Sequence, residues 1–311
     1  ANGMHVSLLR KDTRGERVVA RIDLRHGTVE TLFGKGEVAS LAAAMLSRGT
    51  TALTRQQVRD SLDKLKAQVF IGGATNSLIV SVQTVRANLL PVLDLVVQQL
   101  KSPRFDATEF ETLKRERLAA IEQNKSQPQV LAQVALMRRL NPQPKGHVLY
   151  TSTPEEDIAD ITAVTLDQVK AFARDFYGAS FGDVAVVGDF DEADVSAALA
   201  KHFGAWKNPR PFERAVRTYV VSDSAFESIE TPDKANAIFL VGQTIALKDD
   251  DADYPAMVLA NFMMGGGFLN SRIPARLRQK EGISYGAGTS MQVQSQDRYG
   301  TFMGRAILNP V

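Results

Sequence analysis

Arg278 and Tyr285 stand seven residues apart, shortly after the run Gly265-Gly266-Gly267-Phe268. Arginine offers planar, permanently charged N–H donors that a lysine would not. A tyrosine hydroxyl adds a neutral donor. Three consecutive glycines let backbone approach backbone, or allow a tight turn at positive φ; a plain helix stop is equally compatible. Taken alone, the pair reads as a solvated helix arginine, favourably placed near a helix C-terminus, and an ordinary strand tyrosine. Its meaning depends on the elements that hold it.

The chain has 311 residues, a net charge of +2 and no cysteine. That length fits two domains, and a chain of this size needs no disulfides. The sequence pI of about 8.7 and the interspersed charges are too mild for a nucleic-acid footprint. No apolar run approaches a membrane span. No signal peptide is visible after Ala1, and the abrupt ends read as those of a processed or truncated piece.

Strands are expected at residues 5–10 and 18–24, paired with each other. A helix over 36–48 carries apolar residues at helical spacing and stops at Gly49. Thr54 is an N-cap for a helix to residue 66. Strands at 68–71 and 77–84 flank a Gly72-Gly73 turn. Helices follow at 87–100, 106–124 and 129–140, and Thr165 caps another to 176. A strand at 184–187 and a helix at 192–203 close this part. Lys207-Asn208-Pro209-Arg210-Pro211 is the linker candidate. Beyond it lie a strand (236–245), helices (254–264 and 270–280) and a hairpin (284–294 with 299–307). Strands and helices come in blocks, so the fold class is α+β, with antiparallel-rich sheets covered by helices on one face. The division is a first domain over 1–208, a linker over 209–214 and a second domain over 215–311. The second is expected to be incomplete, short of covering helices and rich in exposed apolar surface.

Several stretches in this order resemble the pitrilysin/insulinase family of zinc peptidases. They are Gly49-Thr50 after the first helix, Pro103-x-Phe105 leading to Glu109-Phe110-Glu111, Val186-Val187-Gly188-Asp189-Phe190, and Phe203-Gly204-x-Trp206. The Arg278/Tyr285 segment, with Gly282-Ile283-Ser284-Tyr285, completes them. The resemblance implies homologous α+β domains like those of the mitochondrial processing peptidase. It also implies that Arg278 and Tyr285 bind substrate, the arginine on peptide backbone and the tyrosine facing the scissile carbonyl, with Gly265, Gly266, Gly267 and Phe268 as a loop nearby.

Active members carry an inverted zinc motif, His-x-x-Glu-His, just before that Gly-Thr. Here the matching positions hold Ser40, Ala43 and Ala44. The third ligand, a later glutamate, aligns near Ala119-Ala120, with Glu122 only close by. The four histidines, His5, His26, His147 and His202, share no ligand spacing. The resemblance therefore implies no metal in this chain and no catalysis in isolation. Zinc is expected in a partner, a homologous half or subunit, with peptide as substrate and a homodimer left open. No nucleic-acid or membrane partner is expected. The location implied is bacterial periplasm or secreted, with cytoplasm left open. The competing expectation is a structural or assembly subunit of the same fold with no part in proteolysis.

Overall fold

A computed structural model describes residues 2–309. In chain order its strands and helices are β1 (His5–Arg10), β2 (Arg17–Arg25), α1 (Gly36–Met45), α2 (Arg55–Lys64), β3 (Gln68–Ala74), β4 (Ser77–Val85), α3 (Leu89–Lys101), α4 (Ala107–Asn124) and α5 (Pro128–Leu140). They continue with α6 (Pro154–Ala163), α7 (Leu166–Phe176), β5 (Gly182–Gly188), α8 (Glu192–Phe203), β6 (Ala237–Ile245), α9 (Tyr254–Asn261), β7 (Ser284–Val293) and β8 (Gly300–Leu308). Two compact units result. One runs to Ala119 and adds Gly146–Val148 and Asp157–Arg214; the other comprises Ala120–Lys145, Leu149–Glu156 and the chain from Ala215 onward.

The first unit holds a five-stranded sheet in the order β1-β5-β2-β4-β3, antiparallel except where β1 meets β5. Alternation places Val18, Ala20, Ile22 and Leu24 of β2 on one face. Leu78, Val80 and Val82 of β4 and Val184 and Val186 of β5 join them, all buried. Each such side chain stabilises the fold by about 1.5–3 kcal/mol. The opposite face shows Arg17, Val19 and Arg21 to solvent. This is the α+β architecture expected, with the core on one side of the sheet. Capping boxes at Thr54 and Thr165 start α2 and α7.

Two expectations fail here. The first two strands do not pair, because β5 lies between them. β5 alternates buried Val184 and Val186 and belongs in the interior, whereas β1 is exposed along nearly its whole length and takes the edge. Helix α6 was not anticipated, although Thr153 and Glu156 exchange capping hydrogen bonds, Glu156 N to Thr153 Oγ1 at 3.2 Å and Thr153 N to Glu156 Oε2 at 2.9 Å.

The second unit holds the antiparallel sheet β6-β8-β7, with β7 and β8 forming the hairpin expected. Its sheet is not bare. A side chain at Gly242 would meet Leu140 and Leu136 of α5, 3.1 and 3.3 Å away, so α5 lies over β6. The opposite face, with Phe239 and Val241, borders Ala260 of α9, Met263 and Ile273 around a cavity of about 1000 Å³. The covering helix α5 comes from earlier in the chain than sequence order led one to look. Apolar exposure is substantial: Leu259, Phe262 and Met263 are each about 60% accessible, well beyond the scattered single residues of an ordinary surface.

Candidate functional site

The stretch from α9 to β7 departs from simple helices. α9 ends at Asn261 and the chain continues as a π-helical turn, Phe262–Gly266, closed by Gly267 N on Phe262 O at 2.8 Å. The single helix expected over 270–280 is instead a short α-turn, Arg272–Pro274, running into a π-helical turn, Ala275–Lys280. Close packing explains the first widening. A Cβ on Gly265 would stand 2.5 Å from the backbone nitrogen of Thr289 on β7, and one on Gly288 would stand 3.0 Å from Gly265 O. Only glycines allow that approach. Thr289 Oγ1 also bonds Asn261 Oδ1 at 2.8 Å, tying the end of α9 to the sheet. π-turns of this kind recur at functional sites.

Phe268 follows the glycines at φ +58, a conformation that costs a non-glycine residue about 1–2 kcal/mol. Its ring is 77% exposed. Gly282, at φ +69, turns the chain from the second π-turn into β7. There the ladder slips: Ser284 opposes Leu308 and Gly286 opposes Ile307, leaving Tyr285 as the extra residue of a bulge. Tyr285 is accordingly 89% exposed. The Arg278 guanidinium lies 5.8 Å from the centre of its ring. Arg278, Tyr285, Gly265, Gly266 and Phe268 all border one cavity of about 660 Å³; Gly267 is not among its lining residues. The structure thus brings the expected pair together on the surface of a groove. Such an arrangement can grip extended backbone: a charged fork, a phenol hydroxyl and an apolar ring surround an open floor.

The helix that would hold a metal reads differently. Ser40, Ala43 and Ala44 lie on α1, with Ala43 buried. Arg117 of α4 donates from Nη1 to Ser40 Oγ at 2.6 Å and from Nη2 to Ser40 O at 3.3 Å. Its Nη1 also lies 3.9 Å from Glu37. Burial, and more weakly the charge of Arg48, holds the Arg117 pKa below its ordinary value, against the pull of Glu37. Burial and the nearby charge of Asp157 push Glu37 up. A hydroxyl and two methyl groups cannot replace two imidazoles and a carboxylate. A divalent ion would also meet a guanidinium already seated there. The residues present do not fit zinc, and no cluster of three metal-ligating side chains occurs among the described residues.

One turn further along, buried Arg48 bonds Glu109 at 3.2 Å and Glu116 at 2.5 Å. Its burial opposes the charge, but the two carboxylates outweigh that and raise its pKa. The nearby Glu122 pairs with Lys125 at 2.6 Å. The histidines are dispersed: His5 meets Asp183, His202 meets Asp94, and His26 is buried against Phe172, Phe176 and Tyr177. Burial lowers the His26 pKa to about 4.

Sequence reasoning missed Arg117 as the residue facing Ser40, and missed Gln129, Gln133 and Arg305 as neighbours of the groove. The two glutamines carried a usable signal, since their i, i+4 spacing puts both on one face of α5. Arg305 alternates with Ile307 along β8 and shares its face, which was equally readable.

Comparison with known proteins follows this geometry. Residues 163–311 match the family model described as the peptidase M16 inactive domain. A relative from Helicobacter pylori named non-peptidase homolog YmxG is 24% identical over 80% of this chain and 56% of its own. Another from Bacillus subtilis, probable inactive metalloprotease YmfF, is 26% identical over 61% of this chain and 42% of its own. The chain thus spans about half the length of the curated relatives it matches. In fold it resembles the crystal structure of a peptidase M16 inactive domain from Pseudomonas fluorescens. The TM-score is 0.85 at 24% identity, over 99% of this chain and 73% of the other. The family resemblance drawn from the motifs, and the α+β fold it implied, are borne out.

Proposed function

We propose that this chain, whose residues 163–311 match the peptidase M16 inactive domain and whose relatives are named as a non-peptidase homolog and a probable inactive metalloprotease, is the substrate-binding, non-catalytic half of a zinc-dependent peptidase. A homologous partner half or subunit supplies the zinc. The observation that carries this reading is a contrast: Arg278 and Tyr285 are exposed around one groove, while Ser40, Ala43 and Ala44 offer no ligand set. The Arg278 fork holds peptide backbone in place. The Tyr285 hydroxyl donates to the scissile carbonyl oxygen as negative charge develops on it. A preorganised donor of that kind is worth about 2.7–4 kcal/mol at the transition state. A periplasmic or secreted location belongs to the same proposal. A cysteine-free composition permits it, as it permits any compartment, and cell fractionation tests it.

Peptide cleavage by an equimolar mixture of this chain and a partner bearing His-x-x-Glu-His tests the assignment. Tyr285→Phe is expected to lower the turnover number about 100-fold or more, with the Michaelis constant little changed. An unchanged turnover number removes Tyr285 from the reaction. If the wild-type mixture binds no peptide at all, the reading as a structural or assembly subunit takes its place. The name of the Helicobacter pylori relative, a non-peptidase homolog, favours that second reading.

A further inference from the structure

The groove carries more charge than backbone binding needs. Arg305 of β8 borders it together with Arg278, and neither guanidinium has a carboxylate partner among the described residues. The nearest candidate in sequence, Glu281, is engaged by Arg276 at 2.7 Å. No described residue lining the groove is acidic. Gln129 and Gln133 of α5 border it too, and their carboxamides make no hydrogen bond among the described residues.

Arg305 is exposed on β8 and borders the groove. Its direct neighbours on that face are Leu240 of β6 and Gly288 of β7. Gly288 has no side chain, and Gly265 O lies 3.0 Å from where its Cβ would stand. The same face shows Ile238 and Ile307, so the floor beside Arg305 is apolar. Two cations left without counter-ions above apolar surface are favourable only where solvent, or an incoming anion, satisfies them. Arginine is the side chain suited to carboxylate, which its fork meets with two parallel bonds.

We propose that this groove recognises a peptide carboxylate: an acidic side chain, or a free C-terminus, seated between Arg305 and Arg278. The glutamine pair, one helical turn apart, takes the peptide's backbone N–H and C=O groups. The inference rests on the reading of the groove as a peptide site and adds what kind of peptide it selects.

The test uses the full 311-residue chain and three fluorescently labelled Ala/Leu heptapeptides. One has a central glutamate and an amidated end. The second has glutamine in its place. The third is the glutamine peptide with a free C-terminal carboxylate. At least one carboxylate peptide is expected to bind about tenfold more tightly than the neutral one, and whichever does so identifies the source of the anion. The preference should weaken as salt rises from 50 to about 300 mM and should vanish in Arg305→Gln. Arg14→Gln, which removes the same charge from an exposed turn, should preserve it. Equal affinity for all three peptides overturns this inference alone and leaves the peptide site standing. No binding by any peptide overturns both.

Discussion

Two pairs of arginines, one pair in each unit, are placed in opposite circumstances. Just after α1 and on α4 of the first, Arg48 and Arg117 are committed: one to Glu109 and Glu116, the other to Ser40 and Glu37. Around the groove of the second, Arg278 and Arg305 have no carboxylate partner among the described residues. A charge satisfied inside the protein contributes to the fold and is lost to ligands. A charge left open contributes little to the fold and can act on something else. In the first unit the guanidinium beside Ser40 is taken up by an internal joint. In the second, the groove proposed for substrate leaves both of its arginines without a carboxylate partner among the described residues.

The largest test of this contrast lies beside the first unit's core. His26 is buried neutral, with its pKa lowered to about 4 by burial. An ordinary unfolded value is about 6.5. The unfolded chain therefore takes up a proton across the pH window that the folded chain refuses. Stability is full above pH 6.5 and erodes as pH falls toward 4, by up to about 3 kcal/mol. Urea melts at pH 7 and pH 4.5 should show the loss, and His26→Phe should flatten it. A pH-independent melt in the wild type would mean the imidazole is hydrated.

Next in size is the joint itself. Arg48→Met leaves Glu109 and Glu116 without their shared cation. It should cost about 2 kcal/mol, less than a fully buried pair because both carboxylates are partly exposed. Arg117→Met should cost about 1–2 kcal/mol, and a chelator should not change either result. At the small end, Arg278→Gln and Arg305→Gln should shift stability by less than about 0.5 kcal/mol. A loss as large as that for Arg48 would erase the distinction between committed and open charges.

How much of this was legible depends on distance along the chain. The β7–β8 hairpin was readable, because alternation and a short connection specify it locally. So was the seven-residue step from Arg278 to Tyr285. The insertion of β5 between β1 and β2 was not, since its partners lie 158 to 178 residues away in the chain and a local pattern carries no partner. The π-turns were hidden for a related reason. They depend on Gly265 and Gly288 touching, a contact between separate elements. Arg117 reads as one of several basic residues on a solvated helix face until α4 is seen to bring it to Ser40, 77 residues earlier. Helix α6 differs: Thr153-x-x-Glu156 is a local capping signal for it.

The extra residue at Tyr285 has one last consequence. Because the irregularity sits ahead of Gly286, the rest of β7 keeps its count against β8 whatever happens upstream. Insertions or deletions in the turn at Gly282 can be absorbed there, shifting the phenol while leaving the ladder undisturbed. Reach and aim at that position are thus set by the bulge without disturbing the scaffold beneath.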